Sequence, residues 1–200
     1  MLMLTAVRVA RGTVLGGALA VTLGTLAACD MDVSNPSVID AESFDPTADA
    51  STLSLSAQSN LYRAVTGIIP FSAFLSQEAW VGVVRPETND IGRRVLTTST
   101  SDVNAVWSPL QLAIATNELA AQVLAANAGA QADINLARVY MNAGFALELM
   151  AEHFCQGAFL VGPALTPEQV SDTAIVRFSK ALPVGAAAAA AGVVEGTKVV

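Results

Sequence analysis

The sequence predicts an all-α protein, and three observations carry that prediction. Apolar residues recur every three or four positions through most of the stretch from Ala50 to Leu182. Helix-start signals stand where such stretches begin. The clearest is Thr166-Pro167-Glu168-Gln169, with a hydroxyl cap, proline at the first helical position and a glutamine reaching back. No sustained polar–apolar alternation and no Asn-Gly or Asp-Gly hairpin pair competes with this reading.

Composition sets the frame. The chain has 200 residues, enough for one domain or for a fragment of a larger protein. It is 53% apolar and 14% charged, against about 25% charged in an average soluble domain. There is ample material for a core, although part of the apolar excess lies in the first 28 residues and in Ala186–Ala191.

Residues 1–28 have the layout of an export signal. Arg8 and Arg11 give a positive start without any acidic residue, and an apolar, glycine-containing run from Val14 to Leu26 follows. A membrane-spanning helix needs about 20 apolar residues, which this run does not reach. The segment ends Leu26-Ala27-Ala28-Cys29, which resembles the lipobox of bacterial lipoproteins. Small residues before the cut admit the backbone to a peptidase, and the Cys29 thiol is the nucleophile that accepts diacylglycerol. The resemblance implies cleavage before Cys29 and acylation of its sulfur and its new amino group. Two or more acyl chains anchor a protein stably, whereas one gives marginal binding. The expected product is tethered to a membrane and does not span it.

Beyond Ala28 the net charge falls from −7 to −9, because the two arginines of the signal are the only charges lost. A chain this acidic, with no basic cluster, is a poor partner for nucleic acid. With Cys29 acylated, Cys155 has no cysteine to pair with. Residues 29–49 are rich in Asp, Glu, Asn and Pro and read as an extended acidic linker that holds the domain off the membrane.

The helical domain is expected over residues 50–183. Ser51 caps a helix to about Thr66, with Leu55, Leu61, Ala64 and Val65 inward, and Gly67 and Pro70 end it. A second helix covers about Phe71 to Val81. Residues 82–101, with Arg85, Pro86, Asn89, Asp90, Arg93 and Arg94, read as an irregular loop of a length that is often functional, with a solvated edge as the preferred reading of its mixed charge. A helix from Val103 to Ala126 contains Pro109, which either kinks it or restarts it behind Ser108. Asp133 opens the strongest helix, to His153. Its polar residues Asn135, Arg138, Asn142, Glu148 and Glu152 form a narrow stripe, so it must be covered on several sides. A loop with Gly157, Gly162 and Pro163 leads to the Thr166-capped helix, which Pro183 and Gly185 stop at about Leu182. Within that helix Ala174, Phe178 and Ala181 have the small–large–small spacing of the second helix of a tetratricopeptide repeat. Residues 184–200 read as a low-complexity Ala/Gly/Val tail without a closing helix.

Catalytic signals are sparse. His153 and Cys155 are two residues apart, and side chains so spaced on a helix point in different directions. One histidine and one free thiol are too few for a typical zinc site. There is no phosphate-binding glycine loop, paired-histidine motif or Gly-x-Ser-x-Gly. An enzyme is not expected, nor is a cofactor or a metal. Trp80 and Trp107 are candidate sugar-stacking platforms, with core packing as the alternative for each.

An exported lipoprotein that begins Cys-Asp, continues through an acidic linker with Ser34-Asn35-Pro36 and enters helices with half a repeat resembles the SusD/RagB family. The segment AEHFCQGAFLVGPALTPEQVSDTAIVRFSKAL from Ala151 resembles the family's passage from a long helix, through a Gly-Pro loop, into a Thr-Pro-started helix. LSQEAW at 75–80 resembles the place where the family often has Ser-Asp-Glu. The likeness covers about residues 29–183. It implies a surface-exposed outer-membrane lipoprotein with tetratricopeptide-like stacked helices. Such a protein binds oligosaccharide or peptide nutrients, without catalysis, for a TonB-dependent barrel transporter of the SusC type. Family members are commonly more than twice this length, so the resemblance also implies a member cut short near its tail. No ligand residue carries over from the family. The alternative is a short helical lipoprotein that acts as a membrane-tethered scaffold or interaction module.

Overall fold

A computed structural model of the chain describes residues 44–82, 84–97 and 100–193. The export signal, Cys29 and most of the linker lie outside the described residues, as does the end of the tail. From Asp45 onward the chain forms one compact unit. Its α-helices are α1 (Ala50–Ser76), α2 (Pro86–Gly92), α3 (Ser101–Ala125), α4 (Ile134–His153) and α5 (Pro167–Ala190), with a short 3-10 turn at Ala130–Ala132. Among the described residues there is no β-strand, so the all-α class holds.

The end of the linker is already ordered. The Asp45 carboxylate accepts from the backbone N–H groups of Thr47 and Ala48. The Asn127 side chain, beyond the end of α3, donates to Pro46 O at 2.9 Å. Helix α1 begins at Ala50 behind Asp49, so Ser51 lies inside the helix, exposed, and is not the cap.

Helix α1 runs on through Gly67 and Pro70, where the sequence predicts a break. Its buried residues are Ala50, Ser54, Ala57, Leu61, Ala64, Ile68 and Phe71. Their spacing alternates four and three without interruption, so one apolar stripe crosses the proline. Pro70 itself is exposed. The Thr66 carbonyl loses its intrahelical partner at an exposed stretch of the helix, and the burial of Ile68 and Phe71 outweighs the loss. Leu55, expected inside, is on the outer side of this stripe and is exposed. Pro109 is likewise accommodated within a continuous α3. The stretch read as an irregular loop contains α2, with Pro86 in its first turn and Ile91 buried against the core.

Helices α1 and α3 run antiparallel: Asn60 bonds Thr116 and Gly67 approaches Ala105. Helices α4 and α5 form a second antiparallel pair, joined where the Ser171 hydroxyl donates to Glu148. Helix α4 packs against α1, α3 and α5, which accounts for its almost wholly apolar circumference. Asn142, although part of the predicted polar stripe, is buried. The core falls into two clusters, one around Leu61, Leu110, Leu147 and Met150 and one rich in alanine around Ala57, Ala121, Leu124 and Val139. At the level between them Asn117 donates to Ala57 O at 3.1 Å and Ala113 O at 2.9 Å, and Glu118 pairs with Arg177 of α5.

The caps expected for the last two helices are present. The Asp133 carboxylate accepts from Asn135 N at 2.8 Å. Thr166 and Gln169 exchange both bonds of a capping box. A hydrogen bond from its own backbone N–H, and then one from the Thr166 hydroxyl, hold the Glu168 carboxyl below its ordinary value. Between α4 and α5, Gly157 and Leu165 exchange two backbone bonds. A Cβ at Gly157 would lie 2.7 Å from Met150 Sδ and from Val170 Cγ2. Helix α5 does not stop at Leu182. It continues through Pro183 and Gly185 to Ala190, and Val184, Gly185 and Ala188 are buried. The first part of the predicted tail is thus a packed helical end. Its small side chains let it lie close to the 3-10 turn and the alanine-rich cluster.

Candidate functional site

The two tryptophans meet opposite fates. Trp107 is half-buried in α3 and packs edge-to-face on Phe154, with ring centroids 4.8 Å apart and planes at 75°. It borders only a shallow hollow beside Thr97, Thr100 and Asn104. Trp80 is 91% exposed. It stands on the edge of an open cleft of about 540 Å³, and the structure does not bring the two indoles into one site.

The cleft is built where α1 ends. Gln77 adopts a left-handed conformation, φ 65°, and closes the helix with its N–H on Phe74 O, while Ala79 N reaches Ala73 O. The chain then passes through Trp80 and Val81 to Arg85. Three contacts hold α2 across from this segment. Asp102 in the first turn of α3 accepts from Arg85 at 3.1 Å and from the Thr88 hydroxyl at 2.7 Å. Ile91 is buried, and Arg94, itself at φ 59°, donates from Nε to Leu75 O at 2.9 Å. Phe74 and Val81 line the apolar part of the cleft, and Gln77, Asn89 and Arg93 line the polar part. Arg93 lies 4.0 Å from Asp90 with most of its side chain exposed. An exposed aromatic face beside amide and guanidinium donors can stack on a flat apolar ligand face and bond its hydroxyl or carbonyl groups.

The sequence singles out Trp80 here and misses Gln77, Asn89 and Arg93. The only local signal for the last two is their place in the stretch read as a solvated loop, and for Gln77 a non-glycine helix end gives none. His153 is turned back on its own helix, with Nδ1 donating to Leu149 O at 2.9 Å. Cys155 is a free, exposed thiol past the helix end. Among the described residues no group of three His, Cys, Asp or Glu side chains is placed to hold a metal ion, and no helix is long and apolar enough to cross a membrane.

Fold and site together define a helical protein with an aromatic-edged open cleft at the end of α1. Compared with protein-family models, with curated proteins and with solved structures, the chain matches none.

Proposed function

We propose that this chain is a lipid-anchored, surface-exposed outer-membrane protein of the SusD/RagB type. It binds oligosaccharide or peptide nutrients, without catalysis, for a TonB-dependent transporter, and Trp80 is its stacking platform. The lipobox-like Leu26-Ala27-Ala28-Cys29 and the resemblance over residues 29–183 support the class. The observation that carries the ligand site is Trp80 itself: a large apolar ring held in water beside a cleft costs hydrophobic free energy that a ligand would recover. The packing of α4 against both α1 and α3 is compatible with tetratricopeptide-like stacking of two helical pairs.

The test is titration of the full chain, in mild detergent, with neutral oligosaccharides and short peptides while indole fluorescence is followed. A ligand should change the emission of the wild type and of Trp107→Phe, and Trp80→Ala should abolish the change. A response that survives Trp80→Ala would move the site elsewhere. The anchor is tested separately by Cys29→Ser, which should release the protein from membranes.

A second reading, a membrane-tethered scaffold, is favoured by a different observation. Phe145 and Ile175, on the two helices of the last pair, are both more than half exposed.

A further inference from the structure

The two helical pairs differ in what covers them. Helix α4 fills the groove between α1 and α3. The groove between α4 and α5 repeats that antiparallel geometry, and among the described residues nothing fills it. Its walls are regular. Met141, Phe145, Glu148 and Glu152 recur on one face of α4 at spacings of four, three and four. Ser171, Ile175, Phe178 and Leu182 do the same on α5.

The two faces meet where Phe145 and Phe178 contact edge-to-face, with centroids 6.5 Å apart, and where Ser171 bonds Glu148. One end is apolar: Phe145 is 54% exposed, Ile175 59% and Leu182 48%. A hollow of about 120 Å³ lies over Phe145, Leu149 and Phe178. It shares Glu148 and Glu152 with a wider hollow of about 340 Å³ that Glu168 and Asp172 border. The groove thus runs from an apolar end to an end ringed by four carboxylates. Among the described residues none of the four has a basic ion-pair partner.

We propose that the α4/α5 groove is a docking site for an amphipathic helix of another protein, with its apolar face on Phe145, Ile175 and Phe178 and Lys or Arg residues at the Glu152–Asp172 end. Shape and charge each support this occupant. The equivalent groove in the same molecule is covered by a helix, and burial of exposed apolar side chains in such a groove is a recurrent mode of recognition. These carboxylates, with no basic partner among the described residues, select cations in register and disfavour a second copy of this chain, whose net charge is −7. The same carboxylates repel an anionic lipid surface. The proposal deepens the scaffold reading. It is independent of the Trp80 cleft, and it is measured without membranes, so its failure is distinct from a failure of the anchor.

The probe is a labelled synthetic helix of about three heptads with Leu at the a and d positions and Lys at e and g, set against the same helix with Glu in place of Lys. Fluorescence anisotropy with the full chain in mild detergent should show binding of the Lys helix only. Phe145→Ser changes an exposed residue, and Glu152→Lys with Asp172→Lys reverses the rim. Each should weaken binding at least about tenfold with the helical circular dichroism unchanged. No binding of the Lys helix, equal binding of the two helices, or binding indifferent to both variants overturns the proposal. A dimer in sedimentation that Phe145→Ser dissolves would also overturn it, by making the occupant a second copy.

Discussion

The body of the molecule and its Trp80 end are built on opposite terms. In the body, α4 is enclosed by α1, α3 and α5, and Ala143, Gly144, Ala146 and Leu147 are buried in succession along it. At the Trp80 end, a seven-residue helix is held by an aspartate, an arginine and one buried isoleucine, and two non-glycine residues sit at positive φ. Strained backbone and exposed aromatic surface are tolerated where few other contacts depend on them. The contrast teaches that stability rests on the enclosed body and the candidate site on its exposed end, with Phe74 shared between them, so Trp80 can be altered without the core.

Three substitutions test that separation, in descending order of effect, with Trp80→Ala set against the first as its counterpart. Leu147→Ala removes a fully buried side chain from the centre of the larger core cluster and should cost about 2–5 kcal/mol in denaturant unfolding. Trp80→Ala, by contrast, should stay within about 0.5 kcal/mol of the wild type. A large loss from Trp80→Ala would show that the indole is structural and break the comparison. Gly144→Ala sharpens it. The added Cβ would lie 2.7 Å from the Phe178 ring, so α4 and α5 must part or the ring must turn. The expected cost is about 1–3 kcal/mol, read as a lower unfolding midpoint. Pro70→Ala should act the other way. Proline inside a helix is about 3 kcal/mol worse than alanine. The unfolded chain gives back about 1 kcal/mol of that through its greater freedom. The net expectation is a stabilisation of about 1–2 kcal/mol, because Pro70 is exposed and the stripe beneath it is unchanged. A destabilised Pro70→Ala would mean that the proline sets a bend the packing needs.

The helices that were legible in the sequence are those whose start signals are chemical and local. Asp133 and the Thr166–Gln169 box satisfy backbone N–H groups one turn away, so their effect does not depend on the rest of the fold. The main misreadings concern prolines and glycines taken as helix ends. Pro70 and Pro183 lie inside helices, as Pro109 does in keeping with one of the two outcomes expected for it, because each local penalty of a few kcal/mol is smaller than the burial that a continuous stripe provides. The site was half legible. Trp80 was singled out by residue type, but Gln77, Asn89 and Arg93 join it only because α2 is folded back onto the end of α1.

By itself, then, the sequence determined the all-α class, the caps of α4 and α5 and the need to enclose α4, since these follow from spacing and from bonds within one turn. Only the tertiary structure decided that α1 and α5 pass through their prolines, that Asn142 is buried, and that Trp107 is packed while Trp80 faces water. The physical reason is common to these cases. Burial depends on which surfaces meet, and residues far apart in the chain, such as Gly144 and Phe178 or Thr88 and Asp102, set that meeting.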